Sequence, residues 1–339
     1  GSAKTALPRQ RTLAATIDWS YDLLKPAEQA MFRRASVFTG GFDLDAAEAV
    51  CAGDEVEDWE VLDHLDSLVD KSLIIPSEDD EGRTRYRMLE PVRQYAQERL
   101  SDTSEPVRFR SAHARHFVGV VAEASPGLRT DQIVATMKRL DTDYDNIRSA
   151  LATLLETGDI DRYLQLAFDL MSYWMHKGLG VEAIELSLEG LRAAIDDTNK
   201  LAMVKLWWAT AIHAAELTDP DGVEYGRAGL EVARRTGDPN AIGRMEIALG
   251  AAIRHATTDP EYLEHLVEGR RLLEEHSEPH WWPATWDNGL TQLLLAAYLP
   301  MEDERLEEHG RAALDAFERA GDPALLAATL NDTGGTLYV

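Results

Sequence analysis

Residues 160–339 repeat themselves, and this constrains the fold more than any other feature. The segment YGRAGLEVARRTGDP from Tyr225 returns as HGRAALDAFERAGDP from His309, and between them VEGRRLLEEHSEP ends at Pro279, 40 residues after Pro239. One small position recurs at Gly190, Gly229, Gly269 and Ala313, and a second at Ala209, Gly250, Gly289 and Gly334. Glycine inside a helix costs about 1 kcal/mol relative to alanine, so its return needs a cause. Close approach of two helices supplies one.

A period near 40 residues with two helices per unit predicts an α-solenoid of the tetratricopeptide type, each unit somewhat longer than the usual length of about 34. The pairs are expected at 160–197, 199–236, 239–277 and 280–320, and Pro323 opens a fifth unit that is truncated at Val339. The whole chain then reads as mainly α: a tag or linker (1–8), a winged-helix domain (9–100), a helical bridge or cap (101–157) and tetratricopeptide-like repeats (158–339).

The head follows from local signals. Leu13, Ile17, Tyr21 and Leu24 recur at helical spacing, Pro26 can open a second helix, Gly40-Gly41 breaks the chain, and Asp43 can cap a third helix. Leu62, Leu65, Leu68 and Val69 form the stripe of a fourth helix ending near Ser72. LIIP, the turn SEDDEGR and RYRML read as a β-hairpin, and Glu90-Pro91 leads into a closing helix with Val92, Tyr95 and Ala96 on one face. Helices, a hairpin and a closing helix make a winged-helix order.

A winged helix invites a DNA reading, but charge opposes it. The helix before the hairpin carries Asp58, Glu60, Asp63, Asp66 and Asp70 against Lys71, and residues 10–100 hold 20 acidic and 10 basic side chains. Such a face pushes carboxylates toward phosphates, so nucleic acid is not the expected partner of this segment. Arg83, Arg85 and Arg87 of the hairpin read as a solvated edge strand guarded by charge.

The formal charge of −26 points the same way and favours basic partners or solubility. The one cysteine, Cys51, reads as a small residue ending a helix and fits a reducing cytoplasm. No apolar run approaches the ~20 residues that span a bilayer, so no membrane partner is expected. No Walker loop, CxxC, HExxH or GxSxG occurs, so the chain is not expected to be an enzyme. His113 and His116 read as exposed histidines on an Arg-rich helix, without the third ligand of a metal site. The cluster of His276, His280, Trp281, Trp282 and Trp286 reads as packing between repeats.

The first helix of each repeat is expected to line a concave groove. Counting from the small row at Ala209, Gly250, Gly289 and Gly334 selects His213, Arg254, His255, Trp286 and Asn331, with Arg244 further back. Cations and an aromatic in an acidic protein suit an anionic or peptide ligand.

WSYDLL, SVFTGGF and RQYA, within residues 9–100, resemble the winged-helix segment of bacterial STAND-class signal-transduction NTPases, and DYDNIRSAL extends the likeness to about residue 155. The resemblance implies a large regulator: a nucleotide-binding core, a winged helix, then a superhelical repeat array. Some such proteins resemble the maltose-regulon activator and end in a LuxR-type DNA-binding domain, and others carry an adenylyl cyclase domain. ATP or ADP with Mg would belong to the upstream core, with no cofactor in this segment. In the family the strand-to-helix turn often holds a Met-His-Asp triplet whose histidine reads the nucleotide. The matching residues are Met88, Leu89 and Glu90; Leu89 cannot bond a phosphate, while Glu90 can still cap the helix. The leading expectation is therefore a non-catalytic regulatory and sensor segment, whose partners are the upstream core and a protein, peptide or small-molecule inducer. A free-standing peptide-binding adaptor is the alternative, and a DNA-binding repressor stands behind it.

Overall fold

A computed structural model describes residues 8–79, 82–194, 200–257, 259–276, 292, 305–320 and 326. The chain divides into two compact units, one of residues 1–120 with 141–157 and one of residues 121–140 with 158–339.

The first unit is a winged helix with two further helical segments. It contains α1 (Pro8–Asp22), α2 (Pro26–Ala35), β1 (Gly41–Phe42), α3 (Leu44–Cys51), a 3₁₀ turn (Asp58–Glu60), α4 (Val61–Asp70), β2 (Ile75–Glu78), β3 (Thr84–Arg87) and α5 (Glu90–Ser101). Most of α6 (Pro106–Ala124) and the later part of α7 (Ile133–Thr157) complete it. Pro26 does open α2, and the Asp43 carboxylate caps α3 by accepting from the Ala46 amide at 2.8 Å. Glu28 joins helices: it accepts from the Lys25 amide, from Ser67 Oγ at 2.6 Å and from Lys71 Nζ at 3.1 Å. Burial works against the Glu28 carboxylate, yet these bonds bring its pKa down to about 2. The core gathers Met31, Phe32, Phe38, Phe42, Val50, Leu65, Leu68 and Ile74, with the Phe38 and Phe42 rings stacked 4.3 Å apart.

Two expectations for the head need correction. The buried stripe of α4 is Val61, Leu65 and Leu68, while Leu62 is exposed and Val69 half-buried, because the helix begins at Val61 and its inner face is turned by one residue. The sheet has three strands in the order β1-β3-β2, antiparallel throughout, with Gly41 opposite Arg87 and Ile75 opposite Arg87 on the other side. Thus β3 is the central strand, and Arg85 is buried rather than solvated.

The second unit is an array of antiparallel helix pairs. A 3₁₀ turn (Ser125–Arg129) packs on α9 (Met171–Lys177), which continues α8 (Ile160–Asp169) after a break at Leu170. These face α10 (Gly180–Ala193); then come α11 (Lys200–Glu216) with α12 (Gly222–Thr236), and α13 (Pro239–Ala256) with α14 (Glu261–His276). A further helix, α15 (Arg305–Ala320), is the second member of the next expected pair; apart from residues 292 and 326, its first member and the fifth unit lie outside the described residues. Gly178 and Gly237 end their helices at φ 66° and 70°, the left-handed region that glycine enters without steric cost.

The recurring glycines sit where helices touch. A Cβ on Gly229 would lie 2.6 Å from Trp207 Cβ, and one on Gly269 would lie 2.6 Å from the Gly243 carbonyl oxygen. α11 and α13 pack on each other and on their neighbours, so that 12 of 17 and 13 of 18 residues are buried. Neither helix keeps a broad open face, and this decides where a ligand could approach.

Candidate functional site

Met88, Leu89 and Glu90 form the turn between β3 and α5. Met88 is buried, Leu89 is 46% exposed and stands at the N-cap in extended conformation, and Pro91 occupies the first turn of the helix. Glu90 does not cap the helix. Its carboxylate accepts from Arg93 Nε at 2.9 Å and Gln94 Nε2 at 2.8 Å, and these bonds hold its pKa below the usual carboxylate range. Three and four residues is the spacing at which helix side chains meet, so the acid is drawn along its own helix instead of back to the free amides.

Behind this turn the wing is locked to α7. Arg85 Nη2 donates to Asp143 Oδ1 at 2.7 Å and to the Gly41 carbonyl at 2.9 Å. Asn146 Nδ2 donates to the same carbonyl at 2.8 Å, while its Oδ1 accepts from the Thr39 amide at 2.8 Å and faces His113 Nε2 at 3.1 Å. Burial pushes the Asp143 carboxyl above the usual range although Arg85 pulls it down. The side chains of Arg85, Asp143, Asn146 and His113 are buried, so each of these bonds compensates a desolvated group. Asp143 and Asn146 belong to DYDNIRSAL, and nothing in the spacing of that motif pointed to their partners.

His113 corrects a further expectation, being 1% exposed and packed between the Phe38 and Phe117 rings. Burial lowers its pKa to about 4, against the bond from Asn146 and with a smaller push from His116. In the unfolded chain a histidine titrates near pH 6.5, so on acidification the unfolded state takes the proton first. The stability owed to neutral His113 is complete above pH ~6.5 and drains away between there and pH ~4, a loss on the order of 3 kcal/mol. Urea midpoints measured from pH 7 to 4 should fall less steeply in His113→Gln; equal slopes would contradict the argument. The share owed to His213 has the same sign and should remain.

A second lock centres on Arg34, which is fully buried. It donates to the carbonyls of Cys51 and Gly53 at 3.1 and 2.7 Å, pairs with Glu55 at 2.6 Å and Glu105 at 2.9 Å, and lies 4.5 Å from the Phe109 ring centroid. The carboxylates of Asp54, Glu55 and Glu105 are close enough together to suggest a cation site. They already face Arg108, Arg34 and Arg33, so the charge is balanced from within.

The expected groove residues do not come together. His213 is buried in α11 with Nδ1 2.9 Å from the Ala209 carbonyl, and burial brings its pKa down to about 4. Arg244 is buried in α13, where desolvation lowers its pKa to about 10 with Asp238 opposing. Counting from the small row predicted an open face, but α11 is enclosed by α8, α10, α12 and α13. Arg254 and His255 are exposed at the end of α13, with the Arg254 guanidinium 5.6 Å from the Tyr262 ring centroid. Trp286 and Asn331 lie outside the described residues, as do His280, Trp281 and Trp282.

The outer face of α4 is the remaining surface of functional interest in the head. Leu62, Asp63, Asp66 and Asp70 are exposed, opposite the buried Val61, Leu65 and Leu68, and Trp59 of the preceding 3₁₀ turn is exposed beside them. Among the described residues no helix is long and apolar enough to cross a membrane.

Known proteins similar to this chain include a family model for the winged helix and several longer relatives. Residues 24–101 match the family described as "Winged helix-turn-helix domain". Two mycobacterial proteins, "Putative HTH-type transcriptional regulator Rv0890c" of Mycobacterium tuberculosis and its Mycobacterium bovis counterpart, are 38% identical over 270 residues, which is 74% of this chain and 29% of each relative. An uncharacterized Mycobacterium tuberculosis protein is 41% identical over 133 residues, covering 38% of this chain and 34% of its own. A crystal structure of a STAND protein with a tetratricopeptide repeat sensor, from Pyrococcus horikoshii, aligns with all of this chain and 50% of its own at 15% identity and a TM-score of 0.47. The chain thus spans under a third of the mycobacterial regulators it matches. It carries a winged helix-turn-helix domain and is homologous, over about three quarters of its length, to HTH-type transcriptional regulators of mycobacteria.

Proposed function

We propose that this chain is the regulatory and sensor segment of a STAND-type signal-transduction ATPase that controls transcription in the cytoplasm. Its winged helix couples an upstream nucleotide-binding core to a repeat array that takes a protein, peptide or small-molecule inducer. The observation that carries this reading is α7, a single 25-residue helix. Its residues 141–157 belong to the unit of the winged helix, where Asp143 and Asn146 hold the wing, and residues 133–140 belong to the unit of the repeats. A helix whose residues are divided between two units is the kind of part through which binding at one site shifts a two-state equilibrium at another. Of the described groove residues, Arg254 and His255 are the two that an inducer can reach from solvent.

In the intact regulator, Asp143→Asn should speed exchange of a fluorescent ADP analogue by about tenfold or more, the ordinary scale of coupling free energies. Far-UV circular dichroism should show the helices retained. An unchanged exchange rate, or an intact protein that holds no nucleotide, would sink the reading. Direct DNA reading by α4 is the weaker alternative. The winged-helix match favours it, but the exposed side of α4 presents carboxylates where phosphates would lie.

A further inference from the structure

The outward face of α4 is built like an interface, with an apolar centre in an acidic surround. Leu62, Asp63, Asp66 and Asp70 share one side of α4 by helical spacing, and Trp59 stands exposed in the 3₁₀ turn that leads into that helix. Trp59 is 76% exposed and Leu62 41% exposed, the former among the largest apolar side chains that a soluble protein can leave in water. Asp63, Asp66 and Asp70 continue the same face, and Glu57 and Asp58 flank Trp59.

These carboxylates are not spent on internal pairs. Among the described residues none of Asp58, Asp63, Asp66 and Asp70 has an ion-pair partner, whereas Asp54 and Glu55 beside them pair with Arg108 and Arg34. Lys71, the neighbouring cation at the end of α4, is turned to Glu28 instead. Like charges three and four residues apart weaken a helix, so this spacing sets the face against the helix that bears it. An exposed tryptophan and leucine supply the anchors that contribute most at protein interfaces, and the acids around them select the sign of the partner.

We infer that this face docks a cationic polypeptide surface: a Lys/Arg-rich helix or loop with an apolar side that covers Trp59 and Leu62. The unpaired acids make a second acidic face or a phosphate backbone unsuitable, so the occupant is a basic protein element and not nucleic acid.

The test uses the whole chain and a fluorescein-labelled peptide of about 18 residues with lysine and leucine at helical spacing, followed by anisotropy at about 50 mM salt. The parent chain should bind it. Asp63→Lys with Asp66→Lys and Asp70→Lys should weaken binding by about thirtyfold or more, and Trp59→Ala by about tenfold. A control with equal charge change on exposed positions of the repeat helices, Glu185→Lys with Glu189→Lys and Glu231→Lys, should stay within about twofold of the parent. Equal weakening by the control would mean bulk charge alone and would overturn the inference, as would full affinity in Trp59→Ala. Tighter binding of a 20-base-pair duplex than of the peptide would replace the partner with DNA. A parent dimer that the triple Asp variant converts to monomer in sedimentation would make the face a self-interface and equally overturn it.

Discussion

Arg34→Met should lower the unfolding free energy of the N-terminal unit by about 3 to 5 kcal/mol, the cost of removing one partner from a buried charge network. The arginine is fully buried, and its guanidinium serves two carbonyls and two carboxylates that come from two separate stretches of chain, residues 51–55 and Glu105. Methionine fills much of the volume but donates nothing, so the Cys51 and Gly53 carbonyls lose a donor in a place where water cannot replace it. Arg34→Lys should recover little, because a single ammonium cannot span the four acceptors that a planar fork reaches. Urea unfolding of the two variants beside the parent would settle it; a loss under about 1 kcal/mol would mean that Arg34 is solvated.

Gly269→Val should cost about 3 kcal/mol or more in the repeat unit. The reason is the identity of the atoms in the way. A Cβ there meets the Gly243 carbonyl oxygen at 2.6 Å, Ile247 Cγ1 at 2.7 Å and the Ile247 amide nitrogen at 3.1 Å. Two of the three are backbone and cannot rotate aside, so α13 and α14 would have to separate along their contact. Gly119→Ala makes the contrast. It lies inside α6 with nothing within 4 Å of its added Cβ, and the substitution should stabilise by up to about 1 kcal/mol through helix propensity alone. Thermal melts of the two variants should move in opposite directions. Two shifts of the same sign would deny the close crossing.

The features legible in the sequence are those that local chemistry fixes. Pro26, Asp43 and the described glycines of the two rows, Gly190, Gly229, Gly250 and Gly269, each have one physical use at their position, and each is found in it. The features that were not legible depend on what arrives from far along the chain. β1 is two residues long, too short for an alternating pattern to register, and it places β3 in the middle of a sheet. Arg85 then looks like a surface charge until Asp143, 58 residues later, is brought to it. The groove residues fail to gather for a related reason. Helical spacing says which side chains share a face, but it does not say what covers that face. His213 and Arg244 have the spacing of an open face and are enclosed all the same.

The shortness of β1 has a mechanical consequence. Two residue pairs cannot hold a strand by themselves, and the Gly41 carbonyl depends on Arg85 and Asn146 for its side-chain bonds. A slide of α7 by one turn, about 5.4 Å, would carry Asp143 and Asn146 away. Ile147 and Ala150, or Arg139 and Thr142, would stand in their places, and neither set offers Arg85 a carboxylate. The third strand of the wing is thus a gauge of where α7 sits along its axis, and the exchange of the Phe42 amide with heavy water is the needle that reads it.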